Sequence, residues 1–301
     1  MKVSVLMSTY NGEKYLEEQI KSIINQKGVD VFLTIRDDGS RDNTRNILDK
    51  YSKINNIKVI FGENIGYRKS FLWLLDNSGV ADFYAFADQD DIWEKNKIKV
   101  AINKLNLYNN SKGKLYTSAL KCVDKDLNYM HTQSFKGLKL TFYSEFVRHR
   151  FAGCTYVFDN NLREKCLGAS EISGLEYGHD AFVCLMCWLS GGLVIYDPNS
   201  YILFRRHGNN TSVDGMGIKK RFEKEFAFLN KKKNNKLQVV RIIQNYYNQN
   251  IDEKYESFIQ LVTTYRDSFY KRIKLAFDRR LDCGMISANI IFRISILLGC
   301  M

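Results

Sequence analysis

The chain is predicted to be an α/β protein, a mainly parallel sheet flanked by helices with a helical, basic C-terminal extension. Three observations predict it. Apolar β-rich runs alternate with helix-period segments through the first 125 residues. Each of the first four runs ends in a polar cluster. Past about residue 217 the chain reads as helical and strongly basic. Alternating strand and helix implies right-handed crossovers and parallel pairing.

The elements follow in order. "VSVLMS" (3–8) is a strand, and "EKYLEEQIKSIINQ" (13–26) a helix with Leu16, Ile20, Ile23 and Ile24 on one face. "VFLTIR" (31–36) is the second strand, and "DNTRNILDKYSK" (42–53) a helix that Asp42 is placed to cap. "IKVIFG" (57–62), the helix "YRKSFLWLLDN" (67–77) and the strand "DFYAFA" (82–87) come next. "WEKNKIKVAINKLN" (93–106) closes the series as a helix. From 150 to 205 the pieces "FAGCTYVF", "AFVCLMCWL", "GGLVIYD" and "YILFRRHG" are apolar and mixed in type.

The bulk numbers restrict the class. In 301 residues, 45% are hydrophobic and 26% charged, a soluble globular profile. The N-terminus lacks a long apolar region and a cleavage site, so it reads as a first strand. No run approaches the ~20 apolar residues of a membrane span; "ISANIIFRISILLG" is too short and carries Arg293. Seven cysteines, an odd number without metal-site spacing, read as reduced, buried thiols of a cytoplasmic protein. Cys184 and Cys187 form a C-x-x-C within an apolar run and read as core.

Parallel sheets bind ligands at the carboxyl ends of their strands. The four polar clusters, "STYNG", "DDGS", "ENIG" and "DQDD", fall there and would form one rim. Carboxylates alone repel phosphate, but Asp-x-Asp can hold Mn²⁺ or Mg²⁺ through oxygen ligands. Such an ion neutralises a diphosphate leaving group. Asp37 or Asp38 suits hydrogen bonds from a base or ribose. Gly39 and Gly66 admit close backbone approach, and Arg68 is placed to meet a phosphate or the base. No P-loop or G-x-G-x-x-G is present, which counts against an NTPase or a dehydrogenase.

The segments "VSVLMSTYNGEKYLEEQIKSIINQ", "IRDDGSRDNT", "ENIGYRKSF" and "FADQDDIW" together resemble the inverting glycosyltransferases of family 2, which have the GT-A fold, over roughly residues 1–106. The resemblance implies metal-dependent sugar transfer from a nucleotide-diphosphate sugar. It implies that Thr9, Tyr10, Asn11, Asp37, Asp38, Asn64, Gly66, Arg68 and Asp88 lie near the nucleotide sugar. It makes Asp88 and Asp90 the metal-binding pair, Asp90 the direct ligand, and leaves Asp91 ambiguous. "DQDDIW" with "RDDGS" looks most like the bacterial rhamnosyltransferase branch, so rhamnose from dTDP-rhamnose is the leading donor. A UDP-hexose or UDP-HexNAc donor stays open.

By the same resemblance the second half supplies the general base at a helix start, and "GLEYGHDAFVCLMCWLS" offers Asp180, with Glu176 as backup. The family often has Glu-Asp where this chain has His179-Asp180. "FRRHGNNTSV" (204–213) also resembles the branch and implies roles for Arg205, Arg206 and His207 at the diphosphate or metal. Gly153 and Cys154 would line a small-residue floor. The domains are then 1–215, catalytic, divided into a nucleotide-sugar half (1–125) and an acceptor half (126–215), and 216–301, helical.

The net charge of +12 is uneven. Between Lys219 and Arg280 there are 16 Lys/Arg and 7 Asp/Glu. The C-terminal stretch pairs a basic face with Phe, Ile and Leu, which suits an amphipathic helix on an anionic leaflet, the cytoplasmic face where a lipid-linked saccharide acceptor would be met. A helical bundle packing on the catalytic domain or on another subunit, as an oligomer contact, fits equally, and the two readings can both hold. A nucleic-acid partner is disfavoured, because an acidic rim repels phosphate. A metal-dependent phosphohydrolase would want a nucleophile or more histidines beside "DQDD".

Overall fold

A computed structural model describes residues 1–138, 140–175, 177–207 and 236–301. It divides the chain into two compact units. The first comprises 1–136, 151–174 and 178–207, and the second 137–150, 175–177 and 208–301. The expected boundary at 215/216 lies outside the described residues.

In the first unit, β1 (Lys2–Thr9), β2 (Asp30–Asp37), β3 (Ile57–Phe61) and β4 (Phe83–Ala87) run parallel in the order β3-β2-β1-β4. Register aligns their carboxyl ends: Thr9 faces Asp37, Met7 faces Ala87, and Asp37 faces Phe61. Every residue of β4 is buried, as is all of β1 after Lys2. That two-sided burial is why these strands read as continuous apolar runs. α1 (Leu16–Ile24) buries Leu16, Gln19, Ile20 and Ile23. α2 (Thr44–Tyr51) and α3 (Tyr67–Asp76) complete the crossovers.

Two elements differ from the sequence pattern. Asn43, not Asp42, is the N-cap of α2; Asp42 Oδ1 instead accepts from the Thr44 amide at 3.0 Å. The helix expected from Trp93 begins at Lys97. Ile92–Trp93 is a short strand, β5, whose residues pair antiparallel with Leu203 and Ile202. β-branched and aromatic residues beside a free strand edge favour pairing over helix there.

α4 (Lys97–Asn106), β6 (Lys114–Val123) and β7 (Tyr129–Gln133) follow. The mixed region resolves into α5 (Phe142–Val147), a 3₁₀ turn (Gly153–Thr155), β8 (Val157–Asp159), α6 (Asn160–Cys166), α7 (His179–Leu189) and β9 (Leu193–Arg205). The apolar parts of "GGLVIYD" and "YILFRRHG" thus belong to one strand, Leu193–Arg205, whose register with β6 shifts near Asp197–Ser200. β8 joins β4 antiparallel, and the sheet continues β8-β6-β9-β5.

In the second unit, α5 carries a capping box between Thr141 and Ser144. Its core is aromatic: Phe142 lies 4.6 Å from Tyr255 between ring centres, and Phe146 meets Phe258 at 5.3 Å. Among the described residues, α8 (Lys236–Tyr247), α9 (Glu253–Thr264), α10 (Phe269–Ala276) and α11 (Ile286–Leu297) join α5 as the unit's α-helices. All seven cysteines are free thiols. Among the described residues no helix is long and apolar enough to cross a membrane.

Candidate active site

The four strand ends are stitched together in order. Thr9, 1% exposed, donates its hydroxyl to Gln89 Oε1 at 2.6 Å, and the Tyr10 amide donates to the same oxygen at 2.9 Å. Asn11 sits in the left-handed region at φ 48°; its amide donates to Ser40 Oγ and its side-chain oxygen accepts from the Arg41 amide, both at 2.9 Å. Asp38 accepts from the amides of Ile65 and Gly66, each at 2.9 Å, and from the buried Arg36 guanidinium. The first cluster therefore grips the fourth and second, and the second grips the third.

Asp37 is fully buried, accepting from Arg45 Nε at 2.8 Å and from the Ser40 amide. Both aspartates of "DDGS" thus anchor loops. Gly66, at φ 82°, begins α3 in a conformation that favours glycine. Asn64 and Arg68 are exposed on the rim; Asn64 accepts from the Gly66 amide, and Arg68 Nε donates to the Tyr67 hydroxyl at 3.1 Å. Tyr10 is 44% exposed.

The three aspartates of "DQDD" take three different positions. Asp90 faces partly outward and lies 2.7 Å from His207 Nε2. Asp91 is fully buried: Oδ1 accepts from the Arg205 amide at 3.1 Å, and Oδ2 has no hydrogen-bond partner among the described residues. Asp88 has its pKa raised to about 7 by burial, then by the charges of Asp90 and Asp180. Burial, then Asp90 and Asp88, also push Asp91 up. The buried Cys154 thiol lies beside this pair and is itself pushed up, by burial first and then by the charges of Asp91 and Asp88, so it stays a thiol. One ligand atom each from Asp88, Asp91 and Cys154 lies within 4.8 Å of the others.

Arg205 closes the structure from β9. Its guanidinium donates to the Asp90 carbonyl at 3.0 Å, to the Lys125 carbonyl at 2.9 Å and to Glu18. It stacks 4.3 Å above Tyr15, whose ring also lies 5.2 Å from His207. Arg205 is 3% exposed and acts as a pin. Arg206 is half-buried, its amide on the Val123 carbonyl and its guanidinium over Phe204.

Asp180 comes from a distant part of the chain. It lies in the first turn of α7, capped by Gly178. The helix start is docked by His179, which stacks on Phe71 at 4.0 Å and meets Phe86 edge-on at 4.9 Å. Gly153 lets it come close: a Cβ there would lie 2.8 Å from His179 Nε2 and 3.0 Å from the Asp180 Cβ. Asp180 thereby acts on Asp88 through its charge. Glu176 lies outside the described residues.

Residues 4–157 match the profile of glycosyl transferase family 2. The dTDP-rhamnosyl transferase RfbG of Shigella flexneri is 32% identical over 234 residues, 72% of this chain and 77% of that protein. The chain belongs to glycosyl transferase family 2. A cholesterol galactosyltransferase of Borreliella burgdorferi is 28% identical over 224 residues, 70% of this chain and 62% of that one. In fold, the chain is similar to residues 1–349 of S. aureus TarS, solved with UDP, at TM-score 0.56 and 17% identity, covering 99% of this chain and 91% of that one.

As a family 2 enzyme the chain is a glycosyltransferase using nucleotide-sugar donors. The donor set at the rim, carboxylates and one imidazole, fits a hard divalent ion. Burial and mutual repulsion disfavour the ionised forms of Asp88 and Asp91, a cost that a bound cation would offset. Asp88, Asp90 and His207 are the candidates to hold it.

Several residues of the site carry no signal in the sequence. Gln89 stands between two aspartates as if it were a spacer, yet it ties the "DQDD" loop to the end of β1. Lys97 is 1% exposed, its Nζ 3.8 Å over the Trp93 ring, and burial lowers its pKa to about 7. Electrostatic interaction with Cys154 and Asp91 opposes that shift. A lysine at a helix start gives no sequence signal of burial.

Proposed function

We propose that the chain is an inverting, Mn²⁺- or Mg²⁺-dependent transferase that moves rhamnose from dTDP-rhamnose to a hydroxyl of a lipid-linked polysaccharide precursor. The observation that carries it is the convergence of Asp180 with the Asp88–Asp90–His207 group at one rim. Asp180 is the base: it takes the acceptor hydroxyl's proton as that oxygen bonds the anomeric carbon and the bond to the diphosphate breaks. Attack comes from the face opposite the leaving group, so configuration inverts. A divalent ion supplies positive charge against the leaving diphosphate.

Thr9, Tyr10, Asn11, Asn64, Gly66 and Arg68 frame the nucleotide, with Asp37 and Asp38 holding its loops. Arg206 stands near the diphosphate. The likeness to RfbG supports the rhamnosyl donor. The test is donor turnover: release of dTDP from dTDP-rhamnose in Mn²⁺, compared with UDP and GDP sugars. Faster release of UDP from a UDP-hexose or UDP-HexNAc, with dTDP-rhamnose inert, overturns the rhamnose assignment and leaves the chemistry standing.

A further inference from the structure

We propose that the α10–α11 hairpin of the second unit is a docking surface for an anionic lipid bilayer, with two apolar ridges that enter the headgroup layer. The inference rests on this hairpin alone and holds whatever the donor sugar is.

The two helices pack antiparallel. Tyr265 and Arg266, just before α10, both donate to the main-chain oxygen of Met301, at 2.8 and 3.0 Å. Farther along, Arg272 lies against Leu297 and Gly299. The start of one helix therefore meets the end of the other. Each helix has a buried row: Leu275 and Ala276 on α10, and Ile291, Phe292 and Ile296 on α11, where Phe292 meets Phe146 of α5 at 6.0 Å between ring centres.

Each helix nevertheless carries a second apolar row. On α10 and its cap, Phe269, Ile273 and Phe277 recur every four residues, 65%, 40% and 60% exposed. On α11, Ile286, Ile290, Ile294 and Leu298 do the same, at 80%, 51%, 38% and 61%. Four-residue spacing puts each set in one line on its helix. Helices that use one row for the core have no internal need of another. Exposed apolar rows of this size mark a contact surface.

Charge identifies the occupant. Residues 269–299 contain six Lys/Arg and two Asp/Glu, and Lys274 and Arg279 are exposed. A second copy docked here by symmetry would set like charges against like. An anionic leaflet complements them. At 8 and 12 residues the helices are too short to span a bilayer, which leaves an interfacial posture.

The test uses the full chain and vesicles of phosphatidylcholine with or without about 30% phosphatidylglycerol, enough anionic lipid to give the surface a negative potential. The wild type is expected to sediment with anionic vesicles and to be released by salt. Ile290→Glu/Ile294→Glu and Lys274→Glu/Arg279→Glu should each weaken partitioning at least about tenfold with unchanged circular dichroism. Wild-type-like binding by Ile290→Glu/Ile294→Glu overturns the proposal. So does a chain that ignores both vesicle types but forms a dimer which that variant abolishes, since a second copy would then cover the rows.

Discussion

Asp88 is a carboxyl group held where ionising is costly. Burial and the charges of Asp90 and Asp180 raise its pKa to about 7 from an ordinary 3.8. The folded chain thus binds a proton between those values that the unfolded chain releases. Its contribution to stability is fully present below 3.8 and is lost as pH rises through about 7. Without metal, melting temperature should fall from about pH 5 to about pH 8, and Asp88→Asn should flatten that fall. Mn²⁺ should stabilise the wild type more at about pH 8 than at about pH 5.5, because at the lower pH it competes with a proton. A metal effect independent of pH would refute the assignment of Asp88 as a ligand. Asp180 is tested separately. Asp180→Asn should reduce kcat by about 10²–10⁴ while donor affinity at saturating Mn²⁺ stays within roughly twofold, since the base takes the acceptor proton and reaches the donor side only through its charge on Asp88. Near-normal turnover would remove it from that role.

At the scale of elements, the site depends on how closely α7 can approach the 3₁₀ turn. Gly153 leaves that space, and His179 holds the helix start against Phe71 and Phe86. Gly153→Ala should push α7 outward, lowering kcat at least about tenfold and stability by about 1–3 kcal/mol, as overpacking does. Unchanged kcat and melting temperature would show that the turn yields freely. This geometry also marks where sequence reasoning stops. The rim was legible because parallel strands announce themselves as apolar runs and their register brings Thr9 level with Asp37. The meeting of Asp180 with Asp88 was not legible from pattern. It depends on β8 returning antiparallel to β4, a pairing between residues far apart in the chain. His179 illustrates the same limit: only the aromatic stack explains a histidine beside the proposed base. Trp93 is not a helix start because β9 offers it a strand partner.

For the whole molecule, the division into two units makes a ligand effect separable by optical probe. All three tryptophans, Trp73, Trp93 and Trp188, belong to the first unit, which also contains the candidate site. Trp73 stands on α3 beside Arg36, and Trp93 lies beneath Lys97. Tryptophan emission therefore follows unfolding of the unit that would hold the donor, while the second unit contributes no tryptophan signal. A ligand that binds only the folded state stabilises by mass action, about 2.7 kcal/mol at roughly a hundred times its Kd. For a domain of this size that corresponds to roughly 5–10 °C in the tryptophan-detected midpoint. Saturating dTDP with Mn²⁺ should produce that rise, and Asp90→Ala should abolish the Mn²⁺-dependent part of it. An equal rise in Asp90→Ala would locate the ion elsewhere, because Asp90 is the carboxylate of "DQDD" that faces His207 at the rim.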